Sequence, residues 1–236
     1  MGSKTSVGHG SEKTQKYINT LKNGLTSAQN DGIMNDIISN KKIKSKYYNG
    51  KLSLFDITVE RIDKIPLIKF NTLSQENSRK LQQAGKDLLN YMQKDKTGLE
   101  GLITYDMSMK EIERHKGNSK NLSVSIPRYN YNCIVIHNHP SGLIFSPKDL
   151  EIFSFNDEIR ILGAIGNNGS VYYIEKTDDF DSMQFDYIYW KIKNKHGYTN
   201  SSGEYKYNTQ DDMFKFIEEL LEEGEECGFK TYISTY

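Results

Sequence analysis

Two histidines alternate at the end of an apolar run, and a carboxylate follows ten positions later. Cys133-Ile134-Val135-Ile136-His137-Asn138-His139-Pro140 leads through residues 141–145 into Ser146-Pro147-Lys148-Asp149. On a strand, side chains alternate between faces, so His137 and His139 share one face and Asn138 points to the other. Two imidazoles and a carboxylate on the following helix form a donor set suited to zinc. Three protein ligands leave a fourth tetrahedral position for water, the mark of a catalytic zinc rather than a structural one.

Each half of this pattern also has a reading without metal. Ser146 is a good N-cap, Pro147 suits the first helical position and Asp149 the third, a plain helix start. Alternate histidines also arise by chance. Their conjunction at the end of the most strand-like segment favours a metal site. The letters His-Asn-His also spell the name of a nuclease motif, but that motif spreads its residues over a ββα unit. Cys133 has the parity of His137, yet four residues at ~3.3 Å each put it ~13 Å away, so it reads as a core thiol. Cys227 has no partner at zinc-finger spacing. His115 and His196 adjoin Lys-rich loop-like stretches, and His9 sits in a Gly/Ser-rich terminus.

His137-x-His139-Pro140 with Ser146-x-x-Asp149 resembles the JAMM (MPN-type) metalloprotease motif, and His-Asn-His-Pro-Ser-Gly is also similar to RadC-like proteins. The ten-position spacing and the Phe-Ser-x-x-Asp form look like JAMM domains attached to phage head-morphogenesis proteins. The likeness spans roughly residues 75 to 230. It implies a zinc peptidase or isopeptidase in which His137, His139 and Asp149 hold the metal. An upstream acid would be the general base; Glu100, opening the strand 101–106, stands where the pattern puts it. Glu111 and Glu113 are the alternatives, although their alternation with Met109 and Ile112 reads as a solvated face. By the same resemblance, Ser146 would donate to the oxyanion of the tetrahedral intermediate.

Such chemistry explains the residue types. Amide hydrolysis needs a strong nucleophile, a polarised carbonyl and a proton for the leaving amine; zinc supplies the first two and a carboxylate must carry the third. Implied substrates are a protein or peptide, including a capsid protein or a ubiquitin-like modifier. Two other classes stay open: a phage head assembly module with a non-catalytic metal, and a RadC-like protein associated with nucleic acid.

The 236 residues carry 31 Lys+Arg against 31 Asp+Glu, but the balance is uneven. Residues 1–99 hold 17 Lys+Arg and 9 Asp+Glu, and residues 201–236 hold 3 and 9. Lys41-Lys42-Ile43-Lys44-Ser45-Lys46-Tyr47-Tyr48 is the densest basic patch; a solvated loop is the plainer reading, nucleic-acid contact the other. No apolar run reaches the ~18 residues of a membrane span, and two distant cysteines give no disulfide framework. A cytoplasmic protein is expected, in a host cell or virion if phage-encoded.

The elements that must position these residues form an α+β pattern, fitting a JAMM-like mixed sheet flanked by helices. Residues 1–72 read as a basic, partly helical extension, with helix over 13–40, a strand over 51–58 and a linker at Pro66 and Asn71-Thr72. Residues 73–236 read as the metalloprotease domain. Ser74 caps a helix over 75–93. Strands are expected at 101–106, 109–114, 122–126 and 132–136, then a helix from 147 to about 157. Asn168-Gly169 turns a hairpin between 159–165 and 170–175. Helices over 180–193 and 211–228 end the chain.

Overall fold

A computed structural model describes residues 55–95, 98–118, 123–142 and 144–235. The helix expected over 13–40, the first part of the strand expected over 51–58, the basic patch and His9 lie outside these. The architecture is α+β: a six-stranded mixed sheet between two helical layers.

One layer contains α1 (Val59–Asp63) and α2 (Gln75–Gln93). Ser74 caps α2 by accepting from the Asn77 N–H, and Leu81, Ala84, Leu88, Leu89 and Met92 recur at helical spacing on its buried face. They pack on Ile103, Tyr105, Ile134, Ile136 and Tyr173 from one face of the sheet. Ile62, Ile65 and Phe70 belong to the same cluster. Asn71 and Thr72, expected in a linker, instead give their backbone N–H groups to the buried Glu175 carboxylate at 3.0 and 2.6 Å. A boundary at residue 72 therefore cuts through packed structure. Residues 55–58 form no strand, because Thr58 is used as the N-cap of α1.

The strands are β1 (Gly101–Asp106), β2 (Glu111–Lys116), β3 (Cys133–His139), β4 (Ile159–Gly166), β5 (Val171–Lys176) and β8 (Phe229–Ser234), in the order β2-β1-β3-β4-β5-β8. Among the described strands only β3 and β4 pair in parallel, and the connection between them carries α3 (Pro147–Ser154). Parallel neighbours need such a crossover, which brings the start of α3 back to the carboxyl end of β3. The other helical layer is α3, α4 (Ser182–His196) and α5 (Gln210–Gly224). Leu150, Phe153, Phe185, Tyr189, Phe216 and Leu220 pack there against Leu102, Val135, Leu162 and Tyr172.

Several expected bounds shift for local reasons. β2 starts two residues late because Asp106 Oδ1 accepts from the N–H groups of Ser108 and Lys110 and Met109 takes φ 68°, a turn where a strand was read. Residues 123–126 form no strand. The helix 147–157 stops at Ser154; Asn156 turns the chain, accepting from Ile159 N and from Lys176 Nζ. α5 ends at Gly224, and a 3-10 turn (Glu225–Cys227) with Gly228 at φ 87° leads into β8, which was not expected. Nor was the small hairpin β6 (Gly197–Thr199) and β7 (Tyr205–Tyr207). Among the described residues, no helix is long and apolar enough to cross a membrane.

Candidate metal centre

β3 runs three residues beyond the expected end, through both histidines, and is buried along its whole length. After it the chain turns tightly: Gly142 adopts φ 67°, and a Cβ there would lie 2.7 Å from the Asn168 side chain. The His139 carbonyl accepts from the N–H groups of Gly142 at 3.0 Å and Asn167 at 3.1 Å, fixing the strand end. Ser146 and Asp149 then form a reciprocal capping box. Ser146 Oγ accepts from Asp149 N at 3.2 Å, and Asp149 Oδ2 accepts from Ser146 N at 2.7 Å and from Ser146 Oγ at 2.8 Å.

These elements bring His137, His139 and Asp149 together, with one potential ligand atom from each within 4.8 Å of the others. Asp149 Oδ1 lies 3.5 Å from His137 Nε2, and Oδ2 lies 3.5 Å from His139 Nε2. Zinc bonds of about 2.0–2.2 Å set tetrahedral ligand separations of about 3.3–3.6 Å, so both histidine–aspartate spacings fit. The two Nε2 atoms are closer, 2.8 Å apart, and one must donate to the other. Cap and ligand roles need not compete for Asp149, since both cap bonds use Oδ2 and Oδ1 faces His137. Burial alone would raise the Asp149 carboxyl, but the His137 and His139 imidazoles hold it well below the usual carboxylate range. His137 Nδ1 is buried without a hydrogen-bond partner among the described residues, so no outer acceptor there sets its tautomer.

Glu100 lies just before β1, half-buried, and its Oε2 accepts from Val124 N at 3.2 Å. Burial raises its carboxyl above the ordinary range; the charges of His139 and His137 oppose this, and that of Asp149 adds to it. Its electrostatic neighbours are thus the three residues of the cluster. Glu111 is paired with Arg114 at 2.7 Å, and Glu113 accepts from Tyr129 OH at 2.6 Å and faces His115 at 2.9 Å. Cys133 is a buried thiol pushed up to about 12 by burial first. His196 lies between Asp212 and Glu219, within 3.6 and 3.1 Å. Sequence reasoning missed the Val124 amide: a backbone donor leaves no residue signature, and its segment read as a strand. Compared with family models, curated proteins and solved structures, the chain finds no match in any of the three.

Proposed function

We propose that the chain is a zinc-dependent peptidase or isopeptidase of the JAMM class, acting on a protein or peptide substrate. The observation that carries this reading is the convergence of His137, His139 and Asp149, with the Glu100 carboxyl close enough to feel their charges. His137 Nε2, His139 Nε2 and Asp149 Oδ1 would hold the metal, which when bound acidifies water and polarises a carbonyl. Glu100 takes a proton from the attacking water and passes it to the leaving amine, a task that calls for a carboxyl raised toward working pH. The Val124 amide keeps one carboxylate oxygen aimed while the other works. Ser146 Oγ, which donates to Asp149 Oδ2, exchanges that acceptor for the developing oxyanion.

The test is turnover of peptide- and isopeptide-linked reporters by the zinc-loaded chain beside Glu100→Gln. The variant keeps size and polarity but cannot accept the proton. Zinc occupancy should persist while hydrolysis falls by roughly 10²–10⁴. A fully active Glu100→Gln chain sinks the base assignment, and a zinc-loaded wild type that cleaves no reporter or capsid-derived peptide favours a non-catalytic assembly role.

A further inference from the structure

We propose that Asn138, the residue between the two histidines, is the positioning residue for Glu100; the inference rests on the peptidase reading above.

Strand alternation turns the Asn138 side chain to the face opposite His137 and His139, where it is fully buried. A buried amide is costly unless both ends are satisfied. Asn138 Oδ1 accepts from Gly101 N at 2.6 Å, and its Nδ2 donates to Asn167 Oδ1 at 2.9 Å. Asn167 in turn donates its backbone N–H to the His139 carbonyl at 3.1 Å. The brace therefore starts and ends on the histidine strand.

Its target matters. The backbone pairing of β1 with β3 ends at Leu102 and His137, so the next N–H, that of Gly101, has no strand carbonyl opposite. Asn138 supplies the missing acceptor. That N–H and the Glu100 carbonyl belong to one planar peptide group. The Glu100 carbonyl accepts from Gly117 N at 2.8 Å, so both polar ends of the plane are held, one by β2's extension and one by Asn138. From this plane the Glu100 side chain projects. Gly101 also lies close under α2, where a Cβ would meet Met92 Sδ at 2.4 Å. Beyond the β1–β3 backbone ladder, the histidine strand and the base are thereby tied by one further side chain, on the face opposite the histidines.

Asn138 could instead be only a satisfied core amide, and the experiment separates the two roles. Asn138→Ala removes the brace; Asn138→Asp, held neutral by burial, keeps an acceptor for Gly101 and an O–H donor for Asn167, and serves if the alanine variant fails to fold. Zinc uptake should survive in both. In Asn138→Ala, kcat should fall on the order of 10²-fold with KM little changed, the cost of about 1 Å misplacement of a reacting group. Asn138→Asp should recover most of this. The loss should vanish in a Glu100→Gln background, because a positioning residue acts only through the group it positions. An equal loss in both backgrounds, an unchanged rate, or loss of zinc overturns the inference. A second readout needs no turnover: the carbon-13 carboxyl resonance of Glu100 in the zinc-loaded chain should move in Asn138→Ala. If wild type cleaves nothing, the peptidase reading fails by itself, and an unmoved Glu100 resonance then overturns the positional claim separately.

Discussion

Replacing Ser146 by alanine tests three roles of one hydroxyl: cap acceptor, donor to Asp149 and, in the proposed reaction, donor to the oxyanion. As an acceptor it caps α3 at 3.2 Å from Asp149 N, and as a donor it supports Asp149 Oδ2 at 2.8 Å. Losing a serine cap costs ~1 kcal/mol, and losing a bond to a charged acceptor costs ~1.5–3 kcal/mol. The Ser146 backbone N–H still holds Oδ2 at 2.7 Å, so the second loss is partly offset. The metal-free chain should therefore be destabilised by about 1–2 kcal/mol in urea denaturation. Zinc affinity, read by competition with a chromophoric chelator, should weaken by about tenfold, the lower end for an outer partner of a ligand. Turnover should fall by roughly 10²–10³, the share of one oxyanion donor. Each readout can fail alone. Unchanged stability denies the cap, a loss of zinc beyond about a thousandfold makes the serine more than an outer partner, and full turnover refutes the oxyanion role.

Replacing His137 and His139 together by alanine should abolish stoichiometric zinc uptake; undiminished uptake would place the metal elsewhere. A chain beginning at residue 55 should fold, whereas one beginning at 73 should not. The shorter chain loses Ile62, Ile65 and Phe70, each worth roughly 1.5–3 kcal/mol, and strips three donors from Glu175; a cooperative unfolding transition from it would refute this. Lys176 is buried, with Nζ donating to Asn156 O at 2.8 Å and lying over the Phe153 ring, and burial lowers its pKa from 10.5 to about 8. Between those values the unfolded chain binds the extra proton, so stability rises with pH, by about 2 kcal/mol from pH 7 to 9.5. Lys176→Met should lack this rise, and identical pH profiles for the two proteins would count against it.

The site was far more legible than its support. Alternation on 133–139 and the Ser-Pro-x-Asp helix start are local signals, and both describe the geometry found. The hairpin at Asn168-Gly169 was equally plain, because its turn chemistry lies in two residues. β8 was hidden because Lys230 and Thr231 interrupt its apolar residues and it follows a helical pattern with no proline to mark the break. β6 and β7 are three residues each, too short for any period to show. Residues 55–72 read as part of a separable extension because Glu175, which holds Asn71 and Thr72, lies over a hundred positions away. Long-range partners leave no trace in a local window.

The span of the candidate ligands bears on the order in which the chain assembles. His137, His139 and Asp149 lie within thirteen consecutive residues and need only β3, one turn and the first turn of α3. Glu100 is joined to this unit across separations of 24 residues to Val124 and 37 from Gly101 to Asn138. Closing the short segment costs less chain entropy and precedes the wider closures. On the proposed reading, ion capture is thus an early, local event and the arming of Glu100 a late, global one. On that reading, a nascent or partly unfolded chain would hold an ion while the acid proposed as its base is still out of reach.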